Sequence, residues 1–192
     1  MPTIAEQYYQ NLLAVLQSVE VTDRHWQELD FYEGIETVGQ LVASRSASGH
    51  KVMFIGNGAS AAISSHMAAD FSKNGNMRAM AFNDAPLLTA VSNDLGYQHV
   101  FSRPIATFAD ADDILFAISS SGQSENILRG VQAAIDKGCT IITLSGFARD
   151  NALRALGEFN FYVPSQKYGP VEVLHHSICH SILDIIIVKR DA

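Results

Sequence analysis

The most constraining feature of the sequence is a series of short, uninterrupted apolar runs, each ending in a turn rich in glycine or serine. The runs cover residues 52–55, 114–118 and 140–144, and stretches with helical spacing of apolar residues separate them. Fully apolar runs of this length are typical of strands buried on both faces. With further strands at 78–82 and 159–163, the pattern predicts an α/β fold, a doubly wound parallel sheet covered by helices on both faces.

The helical stretches complete this three-layer arrangement. Two of them precede the first strand and form an N-terminal helical segment, residues 1–49, of a single domain spanning 1–192. These two helices either cover the sheet or pack against another subunit, and their aromatic residues favour the second interpretation. Ser60 is predicted to cap the helix after the first strand, and Pro104 to interrupt a later one. The predicted helices cover 4–19, 31–48, 61–71, 84–93, 100–108, 125–137 and 171–189, with a short one around 151–156.

Composition excludes several classes of function. The 192 residues carry 20 acidic and 13 basic side chains, a net charge of −7, which argues against sequence-independent nucleic-acid binding. No apolar run approaches the roughly 18 residues of a membrane span, and the N-terminus lacks the features of a signal peptide. A soluble, cytoplasmic protein is therefore expected. Cys139 and Cys179 lack zinc-pair spacing and are expected to be buried free thiols.

Two polar loops follow apolar strands at 56–60 and 119–124. In parallel sheets, ligands bind at the carboxyl ends of strands near the point where strand order reverses, so both loops are expected to face one pocket. The second loop contributes the hydroxyls of Ser119, Ser120, Ser121 and Ser124 just before a helix. Hydroxyls together with helix N-terminal amides suit a phosphate monoester. A plain solvated loop with Ser124 as a helix cap is the alternative.

Two helices carry polar residues at spacings of four. His66 and Asp70 share one helix face, and Glu172, His176 and His180 form a stripe along the otherwise apolar last helix. Two carboxylates and three imidazoles would suit a divalent transition metal, zinc above all. The alternative for the first pair is an ordinary surface contact between a histidine and an acid.

In order and spacing, these features resemble the sugar isomerase (SIS) domain proteins, in particular the phosphoheptose isomerase branch. The resemblance rests on residues 56–60, 92–94, 119–124 and 141–146, on His66 with Asp70, and on Glu172 with His180. It implies a flavodoxin-like sheet, a homotetramer with active sites at subunit interfaces, and one Zn²⁺ per subunit. The implied reaction converts D-sedoheptulose 7-phosphate to D-glycero-D-manno-heptose 7-phosphate for lipopolysaccharide or capsule heptose.

The resemblance also implies roles for individual residues. Asp70 is interpreted as the catalytic base and His180 as the acid. The implied metal ligands are His66, Asp70, Glu172 and His180, with His176 as a further possibility. The implied substrate contacts are Asn57, Gly58, Ala59, Ser60, Asn93, Asp94, Ser119, Ser120, Ser121, Ser124 and Glu172.

Three positions depart from the family pattern, which usually has glutamate at Asp70, glutamine at Glu172 and an apolar residue at His176. Glu172 and His180 also lie about 12 Å apart along a straight helix, so His176 with His180 is the easier pair on spacing alone. Two other functions stay open. One is isomerisation of another phosphosugar; the other is a non-catalytic binder like the replication-initiator-associating branch, against which the retained acid, base and histidines count.

Overall fold

The computed structural model describes residues 1–191, and within that range seven strands form one sheet between two helical layers. The strands are β1 (Glu20–Asp23), β2 (Glu28–Leu29), β3 (Val52–Gly56), β4 (Ala79–Ala81), β5 (Ile114–Ser119), β6 (Thr140–Ser145) and β7 (Phe159–Tyr162). The α-helices are α1 (Ile4–Gln17), α2 (Phe31–Ala47), α3 (Ala59–Lys73), α4 (Ala85–Leu95), α5 (Ser102–Phe108), α6 (Glu125–Asp136) and α7 (Tyr168–Asp191).

The sheet has the order β2-β1-β7-β6-β5-β3-β4, and its five strands from β4 to β7 are parallel. From β3 the chain first adds β4 on one side and then β5 on the other, so strand order reverses between β3 and β5. Gly56 at the end of β3 pairs with Ile118 near the end of β5. The loops after these two strands therefore lie side by side, which confirms the doubly wound topology predicted from the sequence.

Each face of the sheet has its own apolar core. On one side, α2, α3 and α7 pack their apolar faces, represented by Val38, Met67 and Ile182, against Phe116 of the sheet. On the other side, α4, α5 and α6 cover alternate strand residues, including Leu115. Neighbouring strand residues thus point into opposite cores, which is why the strands read as unbroken apolar runs.

The expectation of an entirely parallel sheet preceded only by helices is wrong at one edge. Strands β1 and β2 form an antiparallel hairpin, and β1 pairs antiparallel with β7, bringing Val21 opposite Phe161. Val21 is 1% exposed and joins the core beneath α2. Strands of four and two residues are too short for a periodic signal, so pairing with β7 and burial of Val21 specify them.

Helix starts account for the other local corrections. Ser60 does not cap α3, because Gly58 takes the N-cap position with φ +55°, a conformation that glycine adopts freely, and the helix begins earlier. Pro104 does not interrupt α5, since it lies in the first turn, where a missing N–H costs little. Helix α7 starts at Tyr168 rather than residue 171, and its apolar residue Val173 is 45% exposed.

Helix α7 is, by length and composition alone, long and apolar enough to cross a membrane, with a mean hydropathy of 1.5 over an 18-residue window. Many of its apolar side chains, however, have partners inside the domain. Leu174, Ile178 and Ile182 are nearly inaccessible to solvent and pack within the apolar cores. The position of the helix in the folded domain accounts for its composition.

Candidate active site

The two strand-end loops enclose a cavity of about 250 Å³, here called the serine pocket. It lies where strand order reverses, as expected for a ligand site in a doubly wound sheet. Both loops and the first turn of α7 contribute to its wall. The lining residues are Asn57, Gly58, Ala59, Ser60, Ser119, Ser120, Ser121, Ser124, Tyr168 and Glu172.

Two helices begin at the serine pocket. The N-cap positions of α3 and α6 are Gly58 and Ser124, and within residues 1–191 neither provides a side-chain capping hydrogen bond. In these first turns the N–H groups of Ala61 and Ile127 already have acceptors, at Gly58 O and Asn126 Oδ1. The N–H groups that precede them, and the hydroxyl of Ser124, are available to a ligand. Such N–H groups carry partial positive charge, so the pocket favours an anion.

The loop of residues 119–124, here called the serine loop, packs against the buried side-chain amide of Asn151. Asn151 is fully buried and donates from Nδ2 to Ser145 Oγ at 3.1 Å and to the carbonyl oxygen of Ala148 at 2.8 Å. Gly122 sits directly against it with φ +62°, and a Cβ atom there would lie 2.0 Å from Asn151 Oδ1. Only glycine fits this close approach, so the loop has one defined path across the strand ends.

The other loop is ordered by side chains as well. Asn57 and Asn126 exchange two hydrogen bonds between their amides, at 2.9 and 2.8 Å, and the hydroxyl of Tyr97 donates to Asn57 Oδ1 at 3.1 Å. At Gly56, a Cβ atom would lie 2.5 Å from the backbone of Ser60. Glycine therefore lets the start of α3 pass closely over the end of β3.

A second group, here called the histidine cluster, lies where α3 packs against α7. It consists of His66 from α3 and His176 and His180 from α7, whose ligand nitrogens all lie within 4.8 Å of one another. The ring centroids are 4.7 to 5.2 Å apart. The spacing of four on α7 places both of its histidines on the face that meets α3.

Asp70 supports this cluster from α3. Its Oδ2 atom lies 3.3 Å from His66 Nε2 and 3.9 Å from His180 Nδ1. The Nε2 atom of His176 is buried and finds no hydrogen-bond partner in the described part of the chain. Burial lowers the pKa of His176, and the neighbouring His180 and His66 lower it further. The neutral imidazole that this environment favours is the form that binds metals.

The donor set of the histidine cluster fits a divalent transition metal. Three imidazoles are a common ligand set of catalytic zinc, in which the fourth position stays open for water or substrate. The buried Nε2 atom of His176, which has no partner among the described residues, supports the same interpretation, since such atoms normally have one. Glu172 stands apart in the serine pocket, one helical turn before His176.

Two of the residues implied as substrate contacts lie outside the serine pocket. Asn93 and Asp94 are exposed near the end of α4, where Asn93 Nδ2 donates to Asp94 Oδ1 at 2.8 Å. Asn93 instead lines a shallow surface depression together with Tyr97. The structure thus brings the strand-end residues together and leaves this pair on a neighbouring surface.

Sequence reasoning missed two residues of the site. Tyr168, which lies before the predicted start of the last helix, lines the serine pocket from the first turn of α7. Its spacing of four from Glu172 is the signal that places both on one helix face. Asn126, which orients Asn57, carried no signal, because its role depends on a contact between residues 69 positions apart.

Comparison with known proteins identifies the class. Residues 7–146 match the family model described as the SIS domain. The chain belongs to the SIS domain family. Within it, the chain is 33% identical over 163 residues to a phosphoheptose isomerase of Solidesulfovibrio magneticus, covering 82% of this chain and 79% of that protein. It is 35% identical over 159 residues to a phosphoheptose isomerase of Helicobacter hepaticus, covering 79% and 80% of the two chains.

Solved structures agree in fold. Phosphoheptose isomerase GmhA from Neisseria gonorrhoeae superposes with a TM-score of 0.82 at 27% identity, covering 96% of this chain and 98% of that one. A phosphoheptose isomerase from Francisella tularensis gives the same score and identity, covering 97% and 98%. The doubly wound sheet and its flanking helices are therefore the SIS fold of these proteins.

Proposed function

We propose that this protein is a phosphosugar aldose–ketose isomerase that converts D-sedoheptulose 7-phosphate to D-glycero-D-manno-heptose 7-phosphate. The similarity to phosphoheptose isomerases over about four fifths of the chain supports this reaction. The observation that carries the proposal is that the serine pocket and the histidine cluster lie next to each other along α7. An anion pocket lined by serines lies one turn of α7 from a cluster of imidazoles and a carboxylate.

In this proposal the serine pocket holds the phosphate of the sugar. Ser119, Ser120, Ser121 and Ser124 donate hydroxyl hydrogen bonds, and the amides at the starts of α3 and α6 add partial positive charge. Residues 57–60 close the opposite wall. Binding energy from this non-reacting end of the substrate fixes the reacting carbons near the cluster, which lowers the entropic part of the barrier.

Proton transfer is assigned to groups of the histidine cluster and its neighbour. Isomerisation moves a proton between adjacent carbons through an enediolate, and this needs a base, an acid and stabilisation of the oxyanion. Asp70 acts as the base, and its contacts with His66 and His180 hold the carboxylate in place. His180 acts as the acid toward the sugar oxygen.

The proposed cofactor is zinc, one ion per subunit. The candidate ligands are His66, Asp70, Glu172 and His180, with His176 in the cluster beside them. When bound, zinc supplies positive charge that stabilises developing negative charge on sugar oxygens.

The proposal extends to assembly. None of the 14 residues of α1, all within the described range, is buried, and Ile4, Tyr9 and Leu13 are exposed. An amphipathic helix with these exposed side chains supports a homotetramer, with Asn93 and Asp94 contacting substrate at an interface. Each chain, 1–192, forms one SIS domain whose segment 1–49 packs on the domain or a neighbour. The enzyme works in the cytoplasm and supplies heptose for lipopolysaccharide or capsule.

Solvent-hydrogen exchange tests the reaction class. In deuterated water, a sugar that passes through an enediolate gains deuterium at the carbon that receives the proton, which nuclear magnetic resonance of the product detects. Wild type is expected to incorporate deuterium during turnover of sedoheptulose 7-phosphate. Turnover of this substrate without solvent exchange would contradict the proposed proton transfer to and from exchanging groups.

The base assignment has a matched pair of variants. Asp70→Asn removes the carboxylate charge with little change of shape, and is expected to lower kcat by about 10² to 10⁴-fold while fold and sugar-phosphate binding persist. Asp184→Asn makes the same change at an exposed position of α7 and is expected to keep wild-type turnover. Full activity of Asp70→Asn would overturn the assignment.

A further inference from the structure

We infer that the metal of this protein is held by three imidazoles, those of His66, His176 and His180, and that Glu172 binds hydroxyl groups of the sugar instead of the metal. The inference rests on the proposed function for the presence of a metal, and it assigns the ligands. Compared with the ligand set that the family resemblance implies, it removes the carboxylates of Asp70 and Glu172 and adds the neutral imidazole of His176, which changes both the charge at the metal and the groups left for the substrate.

The position of His176 is the first support. Its Nε2 atom is buried and has no hydrogen-bond partner among residues 1–191, although the ring packs within 5.0 Å of both other histidine rings, centroid to centroid. Buried polar nitrogens normally have a partner, and here the ring packs against two more imidazoles. One cation between the rings provides all three of them with a partner.

The second support is the carboxylate behind the cluster. Asp70 Oδ2 faces His66 Nε2 at 3.3 Å and His180 Nδ1 at 3.9 Å. A carboxylate that contacts ligating imidazoles fixes their ring orientation and tautomer, and raises their basicity. Asp70 thus steadies two of the three ligands through contacts that the structure contains. His176, which lacks such a contact, is oriented by packing between α3 and α7.

The third support is the position of Glu172. It precedes His176 by one turn and His180 by two, about 6 and 12 Å along the axis of α7. Its side chain lines the serine pocket with Ser119, Ser120 and Ser121. Over residues 1–191, the group of mutually close ligand atoms comprises the three histidines and does not include Glu172. The carboxylate is therefore placed to accept hydrogen bonds from sugar hydroxyls.

The test measures metal binding without sugar. Metal-free protein is titrated with zinc alone in a calorimeter, and with Co²⁺, whose visible absorption reports the ligand set. His176→Leu and His176→Gln are each expected to lower zinc affinity by at least about 100-fold, the upper end of the loss seen for groups that only support a ligand. Glu172→Gln is expected to stay within about threefold of wild type and to keep the Co²⁺ spectrum, while its turnover falls. His25→Ala, at an exposed histidine, is the control.

Melting temperatures separate ligation from packing. Zinc is expected to raise the melting temperature of wild type and of Glu172→Gln, and to leave that of the His176 variants unchanged. Without metal, His176→Leu is expected to melt at or above wild type, because it removes a buried nitrogen that has no partner. If the leucine variant fails to fold, the glutamine variant, which keeps a polar side chain, decides the matter.

Three results would overturn the inference: zinc affinity in both His176 variants within threefold of wild type, an equal loss in Glu172→Gln, or no zinc binding by wild type. The proposed function fails separately. Zinc binding that depends on His176 in a protein that does not isomerise sedoheptulose 7-phosphate would remove that substrate and keep the ligand set. Zinc-dependent turnover that tolerates loss of His176 would keep the function and remove the ligand set.

Discussion

Replacing Gly122 by alanine tests how the serine pocket is built. The added Cβ would lie 2.0 Å from Asn151 Oδ1, and residue 122 has φ +62°, where a side chain is strained. A left-handed conformation costs an L-residue about 1–2 kcal/mol. To avoid the clash, Asn151 must also leave its place, where it donates to Ala148 O at 2.8 Å and accepts from the Arg154 N–H at 3.0 Å.

The loss of these contacts sets the magnitude. Two to three hydrogen bonds at about 1 kcal/mol each add to the backbone strain, so Gly122→Ala is expected to lower the free energy of unfolding by about 3–5 kcal/mol. Gly49→Ala is the matched control, since Gly49 has φ +89° but nothing within 4 Å of the added Cβ. The control carries only the strain of about 1–2 kcal/mol.

Urea denaturation of the two variants and wild type gives both differences. Because the displaced loop carries the serines, KM for the phosphosugar is expected to rise in Gly122→Ala and to stay unchanged in Gly49→Ala. If the two variants lose equal stability and share the wild-type KM, the loop is not organised by the contact between Gly122 and Asn151.

Three further predictions concern buried polar groups. Burial lowers the pKa of His175 to about 4, so between about pH 6.5 and 4 only the unfolded chain binds this proton. The metal-free protein should therefore lose up to about 3 kcal/mol of stability as pH falls through that range. In acid unfolding titrations, His175→Gln should not show this pH-dependent loss of stability. Burial raises the pKa of Cys139 to about 11 and of Cys179 to about 12, so iodoacetamide at pH 8 should alkylate them only as fast as the protein unfolds, and rapid native alkylation would contradict this. Lys51→Met should lower the free energy of unfolding in urea by about 3 kcal/mol, because it strands the buried carboxylate of Asp113, and a neutral outcome would refute that pairing.

The features that sequence predicted well are local ones. Apolar runs such as 52–55 indicate strands buried on both faces. The polar loops at 56–60 and 119–124 follow such strands directly, and the rule that ligands bind at the carboxyl ends of parallel strands was enough to predict that both line one pocket. The hairpin of β1 and β2 could not be found in this way. Its strands exist through pairing with β7, which lies more than 130 positions further along the chain.

The divided roles of Glu172, His176 and His180 also needed the structure. Their spacing of four puts all three in one stripe of α7, and the spacing alone cannot decide which of them meets another helix. The packing of α3 against α7 brings His66 to His176 and His180, while Glu172 reaches the serine pocket. Only this three-dimensional contact separates the residues of the histidine cluster from the residue that lines the serine pocket.

The most direct test of the central claim is an assay of the purified protein with sedoheptulose 7-phosphate, run as prepared, after chelation, and after zinc is restored. Metal content is measured on the same samples. The proposed site predicts turnover that chelation abolishes and zinc restores, with one zinc per subunit in the active samples. No turnover by zinc-loaded protein, or turnover that persists after the metal has been removed, would contradict it.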